Sequence, residues 1–350
     1  MSSVALLTLA PGAVAAAPAL MGSAPALMGS AAALLPSALP SPAKGLTILL
    51  VGVDSRAGIT KHEKKAYRLG GQACGCTDVM MLVHVSAKND RVSVVSMPRD
   101  SLAEFPDSHR DALTGEEHEA HPAKLNSAWA EGGPTFAMKT IERMTKVKID
   151  RYLEVDFRHF MDSVNQVKKG VPVCTKEPLK DPYTGFELAP GTKRVNGGRA
   201  LQYVRSRHDG KMDFGRIQKQ QKFMSNVHQE LRGGGVFKNP AKLKAFVSAL
   251  RGTTAADRAL SVTDLITLAG RLRNLTPAQT QLATVPIAGF NPNIAGVGST
   301  VGWDEEQAAE VFGAMRADRP LPKARPKPTS HIPQGLGDYK PMKGSALLCG

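Results

Sequence analysis

From Gly45 onward, short apolar runs alternate with longer stretches in which apolar positions recur every three or four residues. "LTILLVGVD" (residues 46–54) is a run of leucine and β-branched residues closed by Gly52 and Asp54, and it predicts a buried strand. "DVMMLVHVSAKNDRVSVVSMPRD" predicts two more strands joined by a hairpin around Lys88, Asn89 and Asp90. "KLNSAWAEGGPTFAMKTIERMTK" is helical in its second half, where Gly132-Gly133-Pro134 opens the helix and Phe136, Ile141 and Met144 share an apolar side. "DRYLEVDFRHFMDSVNQV" predicts a strand and then a helix, "GVPV" begins another strand, and "DPYTG" is a turn. "GGRALQYVRSR" and "DFGRIQKQQKFMSNVHQEL" predict two helices with a short break. After Gly235 come three further helical segments, the strand "TQLATVPI" and a last helix beginning near Trp303. Strands and helices mixed without strict βαβ repetition predict a single α/β or α+β sandwich.

The flanks differ from this middle part. The first 43 residues carry no charged side chain, are rich in alanine, and repeat "APALMGS" at residues 17–23 and 24–30. Residues 1–44 are expected to be either the outer part of an export or anchor segment whose basic start is missing, or a disordered Ala/Pro-rich leader. Residues 319–350 are rich in proline and lysine and are expected to form a flexible tail. The folded domain is thereby placed at 45–318.

Charge narrows the partners. A net charge of +14 and a pI near 9.7 favour polyanionic ones: nucleic acid, acidic lipid, phosphate-rich polymer or pyrophosphate. Nucleic acid is disfavoured, because aromatics make up only 5% of the chain and do not interleave with the basic residues. Four cysteines remain: Cys74, Cys76, Cys174 and Cys349. "CGC" is too tight for two zinc ligands of ideal geometry. In an exported chain a disulfide from Cys74 or Cys76 to Cys174 is expected; otherwise the thiols are free and buried.

Charged residues gather at the ends of the predicted elements. "GVDSR" ends the first strand with Asp54 and Arg56, Asp78 starts the second, and "MPRDS" ends the third with Arg99 and Asp100. "KLN" sets Lys124 and Asn126 before a helix. On the later helix Asp213, Arg216 and Gln220 stand at i, i+3 and i+7, along one face. Arg205 and Arg207 can point the same way only if the backbone between them is extended. Several guanidinium forks suit phosphate oxygens, and Asp54 with Asp78 suits a hard cation such as Mg²⁺ shared with a diphosphate. Each piece alone has an ordinary reading as a turn cap, a solvated arginine or a helical ion pair.

In order and spacing, "GVDSR", "TDVMML", "SMPRD", "KLN" followed by Ala128, "GG", "ALQYVRSRH" and "DFGRIQKQQ" resemble the LytR-CpsA-Psr family of cell-wall glycopolymer ligases, of actinobacterial type, over residues 46–227. The resemblance implies an α/β/α sandwich with a central mixed sheet and an apolar tunnel for a lipid chain. It implies a Mg²⁺-dependent phosphotransferase at the outer face of the membrane, or secreted, that moves a polyprenyl-pyrophosphate-linked glycopolymer onto peptidoglycan. Carried over by motif, Asp54 and Asp78 would serve the metal. Arg56, Arg99, Arg205, Arg207, Arg216 and Gln220 would grip the pyrophosphate, with Lys124 assisting. The sequence departs from the family pattern at Lys219, where arginine is frequent. Two other readings stay open: a lipid-pyrophosphate hydrolase using the same site with water, and a non-enzymatic binder of polyanions in the envelope.

Overall fold

In a computed structural model, which describes residues 45–71, 75, 77–105, 108–112, 114–207, 212–251, 258–325 and 339–350, the first strand divides its side chains between two cores. Leu49, Val51 and Val53 of β1 (Leu46–Val53) join one buried cluster, and Leu46 and Ile48 join the other. This is the period-two alternation of a strand covered on both faces. After α1 (Lys61–Ala66) come β2 (Thr77–Val85) and β3 (Val92–Ser96), then four short strands: β4 (Leu102–Glu104), β5 (His109–Arg110), β6 (Glu117–His118) and β7 (Pro122–Lys124). Next are α2 (Ser127–Thr145), β8 (Arg151–Val155), α3 (Phe157–Asn165), β9 (Val171–Thr175), β10 (Leu179–Asp181), β11 (Phe186–Leu188) and β12 (Gly191–Val195). Helices α4 (Gly197–Arg205), α5 (Met212–Gly233), α6 (Pro240–Leu250) and α7 (Val262–Leu272) follow. The chain then runs through β13 (Thr280–Thr284), β14 (Ile287–Ile294), β15 (Gly298–Trp303), α8 (Glu305–Arg316) and β16 (Met342–Lys343).

Six strands form the central sheet in the order β16-β13-β3-β2-β1-β8. The sheet is mixed: β8 runs parallel to β1 and β13 to β3, while β2 is antiparallel to both its neighbours. Helices α2 and α8 cover one face through Met138, Ile141, Val311 and Phe312. The helices from α3 to α7 cover the other through Met161, Leu201, Phe223, Val247 and Leu268. The three-layer α/β/α sandwich implied by the resemblance is therefore present. Gly133 (φ 68°, ψ −167°) interrupts α2, and the helix restarts at Pro134, as the Gly-Gly-Pro spelling predicts. Among the described residues no helix is long and apolar enough to cross a membrane.

Two expectations change. Between "TQLATVPI" and Trp303, where the sequence suggests no element, the structure has the hairpin β14–β15, whose alternation glycine and asparagine break. The final twelve residues, expected to be flexible, pack on the domain: β16 pairs with β13, Leu282 standing opposite Met342. They end in a disulfide, Cys174–Cys349, which replaces the expected link from Cys174 to Cys74 or Cys76. The cause is local. The Asn226 amide N–H donates to the Leu347 carbonyl (3.1 Å), and its oxygen accepts from the Cys349 N–H (3.0 Å), bringing the last turn back along α5 to the end of β9. Cys74, Cys76, the leader at 1–44 and the tail segment 326–338 lie outside the described residues.

Two predictions follow from these contacts. Because the disulfide closes a loop of 175 residues, Cys349→Ser should lower unfolding stability by about 2–4 kcal/mol in a denaturant titration under oxidising conditions. Equal midpoints for the two proteins would contradict it. The second concerns Glu63, which closes a capping box with Thr60 at the start of α1 and accepts from Arg158 of α3. The Arg158 bond, then the Thr60 N–H, lowers its carboxyl to about 2. A depressed carboxyl stabilises the fold above its unfolded value and loses that contribution as pH falls through the folded one. The stability gap between wild type and Glu63→Gln should therefore be fully open above the ordinary glutamate range, near pH 4.3, and close toward pH 2. A carboxyl NMR titration of Glu63 with an ordinary midpoint would refute it.

Candidate active site

Three turns of backbone converge at one end of the central sheet. The "MPRDS" segment leaves β3 and is fixed by the "KLN" segment: the Leu125 N–H donates to the Ser101 carbonyl (2.8 Å) and the Asn126 N–H to the Arg99 carbonyl (3.0 Å). Trp303 donates its indole N–H to Ser101 Oγ, tying β15 to the same corner. Across the sheet, α4 packs closely because its first two residues have no side chain. A Cβ at Gly197 would sit 2.2 Å from the Met161 carbonyl oxygen, and one at Gly198 2.0 Å from the Tyr67 ring. At its other end α4 stops at Arg205, and Ser206 is extended (φ −67°, ψ 139°). The extended link lets Arg205 and Arg207 face the same site.

The side chains brought together form a cage of alternating charge. Oδ1 of Asp78, at the start of β2, meets Arg99 at 2.7 Å, Arg216 at 3.1 Å and Arg207 at 3.7 Å. Asp213, at the start of α5, meets the same three arginines at 3.2, 3.6 and 3.1 Å respectively. Burial pushes Asp78 up, but Arg216 and Arg99 outweigh it and hold the carboxyl below its ordinary value. Arg99 is likewise opposed by burial, yet Asp213 and Asp78 raise it. For Arg216, only 3% exposed, burial wins and lowers it despite the same two carboxylates.

Arg205 stands apart. No carboxylate forms an ion pair with it among the described residues, and its Nη1 is buried without a hydrogen-bond partner. Its guanidinium lies over the Phe157 ring, 5.0 Å from the centroid. Burial lowers its pKa, and Arg56 and Arg207 add repulsion against the pull of Asp54 and Asp78. A half-buried cation of this kind, with no ion pair among the described residues, suits an anionic ligand.

Behind Arg205 and Arg216 lies an apolar cavity of about 360 Å³, between the sheet face bearing Leu50, Val79 and Met81 and helices α3, α5 and α6, which contribute Phe160, Phe223 and Phe246. Its walls are almost wholly apolar, and it opens beside the charged side chains of Arg205 and Arg216. Such walls suit an apolar occupant. The same alternation that spells buried strands in β1 and β2 lines it, which is why sequence reading assigned these residues to core. Phe157 was missed too, as an apolar residue at a helix start.

Other predicted site residues take different posts. Arg56 closes a two-pronged fork on Asp54 (2.9 Å twice) and spends Nη1 on the carbonyls of Leu69, Gly70 and Gly71, so it braces the loop after β1 and is not open to grip a phosphate. Gln220 lines the cavity but donates its amide to the Val204 carbonyl (3.3 Å), joining α5 to α4. Lys219 donates to the Ser206 carbonyl (3.1 Å), supporting the extended link. Lys124 reaches Asp100 at 3.4 Å, and Asp100 reaches Arg99 at 3.5 Å, so Asp100 orients Arg99 as its position suggests.

Comparisons with known proteins give the family and the fold. The profile of the LytR_cpsA_psr family matches residues 31–317. The chain is 31% identical over 273 residues to the probable cell wall biosynthesis protein LcpB of Corynebacterium glutamicum, covering 78% of this chain and 61% of that protein. To the cell wall biosynthesis protein LcpA of the same organism it is 28% identical over 270 residues, covering 71% and 51%. The chain thus spans about half to three fifths of the length of these relatives. Among solved structures, TagV of Bacillus subtilis matches with a TM-score of 0.59 at 21% identity, over 79% of this chain and 99% of that one. TagT with bound octaprenyl pyrophosphate lipid matches with a TM-score of 0.54 at 22% identity, over 80% and 92%; both likenesses are of fold. With the profile covering most of its length and the charged cage falling on the expected motifs, this chain belongs to the LytR_cpsA_psr family.

Proposed function

We propose that the chain transfers a glycopolymer from a polyprenyl-pyrophosphate carrier to a sugar hydroxyl of peptidoglycan, in the cell envelope and at the membrane surface. The observation that carries this reading is an arginine cage set at the mouth of an apolar cavity, with Arg205 half-buried and in no ion pair among the described residues. A polyprenyl pyrophosphate has the same two-part chemistry, a diphosphate joined to a hydrocarbon chain. Around the site, Arg56, Arg99, Arg205, Arg207, Arg216 and Lys124 face Asp54, Asp78, Asp100 and Asp213, an excess of two positive charges that a diphosphate would neutralise. Family membership and the octaprenyl pyrophosphate held by TagT support the donor.

In this reading the acceptor hydroxyl attacks the phosphorus on the glycan side. A new P–O bond forms, the anhydride oxygen leaves with its electron pair on the lipid phosphate, and the proton passes to a carboxylate. Negative charge grows on the leaving phosphate, where Arg99, Arg205, Arg207 and Arg216 stabilise it most. Asp78 is a weak candidate for the proton, since its guanidinium partners depress its basicity; of the other two, Asp100 is the less engaged, because Arg56 donates to both oxygens of Asp54. The donor chemistry also suits a hard cation, since Asp54 and Asp78 offer only oxygen; the three arginine contacts of Asp78 fall on Oδ1, whereas both oxygens of Asp54 already accept from Arg56 and would have to be shared with the ion. These two would hold Mg²⁺, which supplies further charge neutralisation at the phosphate oxygens.

Incubation of a polyprenyl-pyrophosphate glycan with peptidoglycan oligomers and Mg²⁺ should release lipid monophosphate and create a phosphodiester on the acceptor. Lipid phosphate released without acceptor product would favour the hydrolase, and neither product would favour the polyanion binder. Mass spectrometry of organic extracts from the purified protein should show a polyprenyl (pyro)phosphate.

Arg205→Ala should lower kcat/KM by about 2–4 kcal/mol of transition-state stabilisation while leaving the melting temperature unchanged or higher, because it removes a half-buried charge whose Nη1 has no hydrogen-bond partner. Arg56→Ala should instead destabilise the fold by about 1–3 kcal/mol through loss of its fork and carbonyl contacts. An Arg205→Ala enzyme with normal turnover would refute the clamp.

A further inference from the structure

The excursion between β4 and β7 gathers imidazoles that the proposed reaction does not use. His109 and His118 are register partners across β5 and β6, so their rings share a face and stack with centroids 5.7 Å apart. His121 joins them, 5.8 Å from His109 and 5.5 Å from His118. Glu131, in the first segment of α2 before the Gly133 break, points into the group: its Oε2 lies 3.4 Å from His109 Nε2 and 3.5 Å from His121 Nε2. Single ligand atoms of His118, His121 and Glu131 all fall within 4.8 Å of one another. Phe105 and Phe136 pack against the rings from below, at 5.1 Å from His121 and 4.2 Å from His109 respectively.

Protonation alone fits this arrangement poorly. The His121 Nδ1 stands 2.8 Å from the Glu119 carbonyl, which can only accept, so Nδ1 carries the proton and a neutral ring turns the lone pair of Nε2 toward Glu131. A charge-assisted N–H···O bond would draw the atoms to about 2.7–2.9 Å. Instead Glu131 Oε2 and His118 Nε2 are buried without a hydrogen-bond partner. Separations of 3.4–3.5 Å match the edge of a tetrahedron, since ligands about 2.0–2.1 Å from one central ion lie roughly 3.3–3.4 Å apart.

We propose that His118, His121 and Glu131 hold a late first-row divalent cation, Zn²⁺ by donor type, with His109, which stands 3.4 Å from Glu131 but outside the close three-residue cluster, turning in as the fourth ligand when the ion binds. Three imidazole nitrogens and one carboxylate oxygen suit Zn²⁺ and not Mg²⁺, so the site is separate in chemistry from the oxygen donors Asp54 and Asp78. The Glu119 carbonyl supplies the outer hydrogen bond that metal-bound histidines use to fix their tautomer. The ion would pin the excursion that ends at Lys124 to the first segment of α2, with His109, His118 and His121 from the excursion and Glu131 from the helix. The spelling "HRDALTGEEHEAHPAKLNSAWAE", with His118 and His121 three apart, carries the signal in sequence.

The test uses tag-free full-length chain stripped with chelator, titrated with Zn²⁺ by calorimetry at neutral pH and with Co²⁺ by visible absorption. One saturable Zn²⁺ site is expected, together with the intense visible bands of four-coordinate Co²⁺ and a rise in melting temperature with Zn²⁺ but not with Mg²⁺. Losing an outer hydrogen bond weakens such sites by about 10–100-fold, so His118→Ala/His121→Ala, which removes two ligands, should weaken Zn²⁺ binding by about 100-fold or more. Glu131→Gln should weaken it in the same direction. No saturable binding by wild type, the weak bands of six-coordinate Co²⁺, or Zn²⁺ affinity unchanged in the double variant would each overturn the site. Should the double variant fail to fold, imidazole ¹⁵N shifts of wild type decide: Zn²⁺ must move Nε2 of His109, His118 and His121, and unmoved signals overturn the proposal.

Discussion

Three guanidiniums held within reach of one another would repel strongly in a half-buried pocket, and here two carboxylates make the arrangement tenable. Asp78 and Asp213 each touch Arg99, Arg207 and Arg216, so each of these three arginines has a carboxylate on two sides. The contributing residues come from β2, from the turn after β3, from the link after α4 and from α5. Correct charge pairing therefore requires the sheet and the helical layer to be in register. Buried pairs of this kind are seldom optimal for stability, because desolvation offsets much of the attraction. Set at the mouth of the apolar cavity, they are a costly arrangement for folding alone.

Much of this was legible in the sequence, for physical reasons that can be named. Strands buried on both faces leave an unmistakable apolar run, and their charged ends at Asp54, Asp78 and Arg99 stand out against it. The helical spacing of Asp213 and Arg216 fixes their shared face, and the demand that Arg205 and Arg207 point together correctly implies an extended Ser206. What could not be read depends on contacts between residues far apart in the chain. Arg56 looks like its fellow arginines until the carbonyls of Leu69, Gly70 and Gly71 are seen to consume it. Cys349 is paired by a return of the chain that Asn226 directs. The cavity is invisible to periodicity, because a residue facing a ligand and a residue facing a neighbour carry the same apolar side chain.

The two sides of the sheet consequently do different work. Toward α2 and α8 the packing is closed, with Leu49, Val51, Met138 and Phe312 essentially inaccessible. Toward α3, α5 and α6 it is left open behind the cage. One strand serves both: successive residues of β1 alternate between a sealed core and a lining.

The link from Cys174 to Cys349 has a topological consequence. It encloses α4, α5 and all of β13 to β15 in one covalent ring, and leaves β1, β2 and β3 outside. Half of the cage, with Arg205, Arg207, Asp213 and Arg216, is inside the ring, and the other half, with Asp78 and Arg99, is in the free arm. A protease that cut the backbone between Cys174 and Arg205 would leave two pieces still joined through sulfur, so the two groups of the site would stay tethered after a nick that would separate them in a reduced chain.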